Sequence, residues 1–259
     1  MNIEIAIQPI VETLSMYLWP FLRIGAFLIV MPVIGASFVP TRVRILLAVV
    51  LTMVVAPVIP TPPSLDVLSA AGLVTVIQEI AIGIVMGFLV QLVFDAIALG
   101  GQVISLGMGL GFAVFIDRAN GVNTPVLGQL FLMLGMLVFL AIDGHLTLIL
   151  LLAQSFQTLP IGESGLSLPL LADILDWTAN LFIFALKIAL PAITAILVVN
   201  LSFGVMSRAA PTLNLFAVGF PITMLLGFLV IFLNMGVLVE SITLFLNQSM
   251  FAVSQMLES

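Results

Sequence analysis

The residues able to do chemistry are few, and most stand alone. Six basic side chains occur in 259 residues: Arg23, Arg42, Arg44, Arg118, Lys187 and Arg208. Lys187 lies inside an apolar run, Phe184-Ala-Leu-Lys187-Ile-Ala-Leu-Pro191, and Arg23 lies midway along another. An ionised group at membrane depth costs a few kcal/mol, so such residues usually face a partner or water. Lys187 can be read as a relay, as a contact to a neighbouring subunit, or as a side chain snorkelling to an interface. For Arg23 the snorkelling reading is preferred. Glu79 and Asp95 are 16 residues apart, or ~24 Å along a helix, and read as residues at the two ends of one span. No pair of carboxylates is spaced for acid–base work.

Other chemistry finds little support. Asp143-Gly144-His145 holds the single histidine, and cysteine is absent. Two ligands do not make a metal site, so a polar break in a helix is expected there. Ser15, Ser105 and Ser202 have no histidine nearby in sequence to activate them. Gly107-Met-Gly109-Leu-Gly111 has neither a preceding strand nor a following Lys, as a phosphate loop would require. No cofactor and no catalysis are expected. With no basic run and a formal net charge of −6, nucleic-acid binding is not expected either.

The elements that must hold these residues are apolar. The chain is 63% hydrophobic and 7% charged, against about a quarter charged in soluble domains. The lipid bilayer is the solvent that tolerates such a surface. Apolar regions fall at about 10–34, 45–59, 73–99, 126–156, 177–205 and 215–246. The expectation is an all-α membrane protein of about six kinked helices arranged as hairpins, with residues 1–259 as one integral membrane domain. The second region, ~22 Å long, is short for a span. The fourth and sixth are too long for one upright span and imply tilt or kinks. The alternating pattern of a lipid-facing barrel is missing. Met1 to Pro9 carries no basic residue, so no cleaved leader is expected. With six spans, Arg42, Arg44, Arg118 and Arg208 all fall in connections on one side, which predicts both termini periplasmic.

One connection is unusual. From Leu106 to Gln129 it combines three hinge-like glycines, Gly107, Gly109 and Gly111, with Phe112, Phe115 and Ile116. Glycine disfavours a continuous helix, while these apolar side chains avoid bulk water. Irregular backbone at membrane depth survives only inside protein or along a cavity. A mobile plug in a pore and a re-entrant or interfacial loop both satisfy that condition. Elsewhere, Gly83-x-x-x-Gly87 offers close helix approach.

At Arg208-Ala-Ala-Pro211-Thr-Leu-Asn214-Leu-Phe216-Ala-Val-Gly219-Phe220-Pro221 the sequence resembles the FliR family of flagellar export proteins, with Thr212 where Gln is usual. The segment from Gly111 to Pro125 resembles the plug region of that family, with Arg118 where Pro often follows the Asp. The resemblance implies a subunit of the type III export gate in the bacterial inner membrane, at the flagellar basal body, beside FliP, FliQ, FlhA and FlhB. Unfolded flagellar proteins would be its transient cargo. It further implies a FliP-like part over 1–175, with the plug loop at 106–125, and a FliQ-like hairpin and tail over 176–259. Phe112, Phe115 and Ile116 would then form the plug and Gly107, Gly109 and Gly111 its hinges, with Lys187, Arg208 and Asn214 at subunit contacts. A secondary transporter of a small solute is the rival reading, with Lys187 and Pro191 as one half of a midplane site.

Overall fold

Uninterrupted apolar runs without alternation satisfy their backbone groups internally, and they do so as helices. The computed structural model describes residues 2–36, 38–63, 67, 69–111, 126–162, 168–209 and 215–258. Eight helices and no strands occur among them: α1 (Asn2–Val30), α2 (Thr41–Val55), α3 (Ala70–Gly107), α4 (Val126–Ala141), α5 (Gly144–Thr158), α6 (Leu168–Ala209), α7 (Leu215–Leu233) and α8 (Met235–Glu258). The all-α membrane class is as expected. Three described helices are long and apolar enough to cross a membrane, at 70–107, 172–208 and 235–257; the broken pair α4–α5 makes a fourth if counted as one span.

The six apolar regions become eight helices because the two longest are interrupted. Asp143 takes a left-handed backbone, φ 55°, between α4 and α5. That is the polar break expected at Asp143-Gly144-His145. Asn234 separates α7 from α8, and its side-chain amide donates to the Val230 carbonyl at 2.9 Å, a local competitor of the helical ladder.

The chain divides into two compact units interleaved in sequence: residues 1–92, 143–178 and 247–259 form one, and 93–142 and 179–246 the other. In the first, α3 lies directly on α1. A Cβ at Gly83 would meet the Arg23 carbonyl, and one at Gly87 would be 3.0 Å from Val30 Cβ. The Gly-x-x-x-Gly spacing therefore serves an approach within the chain. Trp19, Phe27, Met31, Met86 and Phe156 are buried in this unit. Trp177 donates its indole N–H to the Leu89 carbonyl at 3.3 Å.

In the second unit Phe94 on α3 meets Phe139 on α4 edge to face, with centroids 5.6 Å apart. Phe184 on α6 stacks on Phe245 of α8 at 4.1 Å. α3 ends in this unit with paired backbone bonds: the Leu110 N–H donates to the Ser105 carbonyl, and the Gly109 N–H to the Leu106 carbonyl. With Gly109 at φ 82°, this is a Schellman cap, whose left-handed residue favours glycine.

Candidate functional site: two cations in apolar helices

In the first unit Arg23, about two turns before the end of α1, is fully buried (0% exposed), as is Glu79 of α3 at 1%. The Arg23 Nε donates to Glu79 Oε2 at 2.8 Å, and Nη2 to Oε1 at 3.0 Å. This is the bidentate geometry that a planar guanidinium permits and an ammonium does not. The remaining donors reach α5 and its end. Nη1 bonds the Ser155 carbonyl at 2.8 Å and Ser155 Oγ at 3.1 Å, and Nη2 bonds the Leu159 carbonyl at 2.9 Å. The guanidinium carbon stands 4.3 Å from the Phe156 ring centroid. A cation is well placed against carbonyls at a helix C-terminus. Arg23 thus ties α1, α3 and α5 together, with its charge balanced by Glu79.

Two expectations are corrected here. Arg23 does not snorkel, because a carboxylate, two backbone carbonyls, a hydroxyl and an aromatic face meet it inside the unit. Glu79 is not a helix-end residue: it is the tenth residue of α3, on the side facing α1. Reading the sequence alone misses both Glu79 as a partner and Ser155. The signal is present in one form: an unmatched cation in one apolar region and an unmatched acid in another, each costly unless joined.

In the second unit Lys187 is exposed. It lines a cleft with Pro191 of α6, Ile104 of α3, Phe131 of α4, Asn234 at the α7–α8 break and Ser241 of α8. Its Nζ stands 5.9 Å from the Phe245 ring centroid. Pro191 brings no amide to the carbonyl of Lys187, four residues before it, so the helix ladder is interrupted at the cleft. Arg208 is exposed in the last turn of α6, where a cation complements the helix dipole. It lines a separate groove with Asn200 and Gly204.

Among the described residues, the three hinge glycines do not line this cleft. Gly107 closes α3, with Ile196 of α6 3.7 Å from where its Cβ would lie. Gly109 is the left-handed residue of the cap, and a Cβ at Gly111 would be 2.7 Å from Leu106 Cδ2. Phe112, Phe115, Ile116 and Asn214 lie outside the described residues. Arg44, which the sequence offers only as an orientation signal, has a local task as well: its Nη2 bonds the Ala36 and Val39 carbonyls and clamps the α1–α2 connection.

Comparison with known proteins adds a lineage to this geometry. Residues 14–249 match the family described as bacterial export proteins, family 1. The flagellar biosynthetic protein FliR of Escherichia coli (strain K12) is 40% identical over 214 residues, which cover 83% of this chain and 82% of that protein. FliR of Pectobacterium carotovorum subsp. carotovorum is 41% identical over 217 residues, 84% of this chain and 83% of its own length. FliR of Aquifex aeolicus (strain VF5) is 31% identical over 225 residues, 86% of each chain.

Proposed function

This chain belongs to family 1 of the bacterial export proteins, the family of the flagellar biosynthetic protein FliR, and from that premise we propose that it is a non-catalytic pore subunit of the flagellar type III protein export gate. In this reading it assembles with FliP and FliQ, beside FlhA and FlhB, in the inner membrane at the basal body. Unfolded flagellar proteins cross the membrane through the pore it helps to form. Residues 1–175 act as the FliP-like part and 176–259 as the FliQ-like hairpin and tail, with both termini periplasmic.

The observation that carries the pore reading is the end of α3. A long apolar helix stops at a glycine-capped turn, Gly107 to Gly111, directly before the sequence Phe112-Ala-Val-Phe115-Ile116. Apolar chain after a cap of that kind needs protein around it or a cavity to fill. Phe112, Phe115 and Ile116 plug the resting pore, and Gly107, Gly109 and Gly111 supply the conformational freedom for its displacement. Lys187, Arg208 and Asn214 contact neighbouring subunits. Deleting residues 109–117 tests the plug. The expected result is increased passage of small molecules through membranes that hold the assembled complex; unchanged conductance excludes the plug.

The Lys187–Pro191 cleft also favours a second reading, a secondary transporter, since an interrupted helix bearing a charge is the usual construction of a midplane site. Solute uptake by the purified chain alone in liposomes supports the transporter. Co-purification with several small helical membrane proteins supports the gate.

A further inference from the structure

We propose that the exposed apolar face around Lys187 is covered by an apolar membrane helix of a partner subunit, and that this helix presents an Asp or Glu carboxylate to the Lys187 ammonium. The inference rests on the gate reading to the extent that it requires a partner helix; the chemistry of that helix is read from the cleft.

Depth comes first. The helix 172–208 is ~55 Å long, more than a hydrocarbon core of about 30 Å; a core centred on its midpoint near residue 190 places Lys187 about three residues, or ~4.5 Å, from the centre. About seven helical residues, ~10 Å, then separate it from the nearer face of that core. Four methylenes cannot carry the ammonium to an interface across that length. Among the described residues Lys187 has no hydrogen bond and no ion pair; its one contact is the distant Phe245 ring.

Next, the open polar groups of the cleft are the Ser241 hydroxyl and the Asn234 side-chain oxygen beside the Lys187 ammonium, and none of them carries a negative charge. Ser241 makes no hydrogen bond with any described residue, so its hydroxyl is available beside the three ammonium protons. The Asn234 amide nitrogen gives one of its two protons to the Val230 carbonyl, and its oxygen can only lend the ammonium a neutral dipole. A carboxylate, with two oxygens and no protons to place, matches an ammonium and a hydroxyl.

Finally, the surroundings select the carrier of that carboxylate. Leu186, Leu190 and Val237 flank the site and are 54%, 47% and 57% exposed. Such a face suits lipid tails and an apolar helix equally well. The ammonium does not: tails offer it nothing, and phospholipid phosphates lie at the interfaces, away from the midpoint. A helix that is apolar except for one acid satisfies both the leucines and the lysine. Arg23 and Glu79 show the same solution within a single chain.

The sequence makes this testable without any added probe residue, because Lys187 is its sole lysine. The full complex in native membranes is treated with dicyclohexylcarbodiimide, an apolar reagent that activates a carboxyl group. An amine in contact then displaces the urea and forms an amide. The expected product joins the Lys187 peptide to an Asp or Glu peptide from an apolar segment of another subunit. It is absent in Lys187→Arg, which keeps the positive charge but removes the reactive amine. In Lys187→Gln the co-purified complex falls about a hundredfold. If the complex co-purifies but the amide is missing, or if it joins Lys187 to a carboxylate of this same chain, the inference is overturned while the gate reading stands. If the wild-type chain co-purifies with no other membrane protein, the gate reading itself falls, and the inference with it.

Discussion

Arg23 and Lys187 pose one physical problem and receive opposite answers. Each is a cation inside a long apolar helix. Arg23 is enclosed by a carboxylate, two backbone carbonyls, a serine hydroxyl and a phenyl face, all from its own unit. Lys187 is exposed, and its unit offers an aromatic ring almost 6 Å away. The difference teaches where the molecule is complete. A charge neutralised internally belongs to the folding of the chain. A charge left open on an apolar face is a requirement placed on whatever covers that face.

The largest effect is expected at Arg23. Removing one member of a buried pair leaves the other charge without compensation, at about 3–5 kcal/mol. Arg23→Ala should therefore lower the thermal midpoint of the chain in detergent by the largest margin of any substitution considered. Both tryptophans, Trp19 and Trp177, lie in the first unit, so intrinsic fluorescence reports that unit specifically. The double variant Arg23→Met, Glu79→Leu should recover most of the loss, since an apolar pair of similar volume often replaces a buried ion pair at little cost. An unchanged midpoint for Arg23→Ala would show that the pair does not hold the unit together.

A steric substitution nearby has the next largest effect. Gly83→Val places its Cβ against the Arg23 carbonyl and forces α3 away from α1, for roughly 1–3 kcal/mol or more. Gly25→Ala on α1 is the matched control, because its Cβ would have nothing within 4 Å. There the helix propensity of alanine stabilises by up to ~1 kcal/mol. Equal effects at the two sites, read by the same fluorescence transition, would mean that α1 and α3 do not depend on close backbone approach.

These residues also show what the sequence makes legible. The helices and their membrane character follow from long apolar runs with no alternation, and the Asp143 break from a polar tripeptide in a run too long to be straight. The pairing of Arg23 with Glu79 joins positions 56 residues apart; no local periodicity encodes which helix faces which. Counting charges by region identifies two costly residues, and only the tertiary arrangement says that one satisfies the other. Its distance from Asp95 suggests a helix end for Glu79, yet α3 runs 38 residues, well beyond the apolar core on which that spacing is measured. For the Lys187 cleft the opposite holds. The charged residue and the proline stand four apart in sequence, but the contribution of Asn234 and Ser241 comes from another helix and another turn.

Ser155 contributes to the Arg23 cluster by a smaller amount. Its hydroxyl accepts from Nη1 at 3.1 Å and also donates to the Leu152 carbonyl at 2.7 Å. Ser155→Ala leaves Nη1 with the Ser155 backbone carbonyl as acceptor, so the expected loss is about 1 kcal/mol. A loss as large as that of Arg23→Ala would place the weight of the cluster on the hydroxyl and not on the ion pair.

The smallest effect is the most informative. In the isolated chain, Lys187→Gln should move the stability of the fold by no more than about 0.5 kcal/mol, as expected for an exposed side chain without a partner. The second unit has no tryptophan. A Phe139→Trp substitution, at a site buried against Phe94, therefore reports its unfolding, both with Lys187 in place and in combination with Lys187→Gln. Equal transitions place the cost of losing the lysine outside the chain, in its assembly. A marked fall in the isolated chain would mean that Lys187 already has an internal task, and the contrast with Arg23 would disappear.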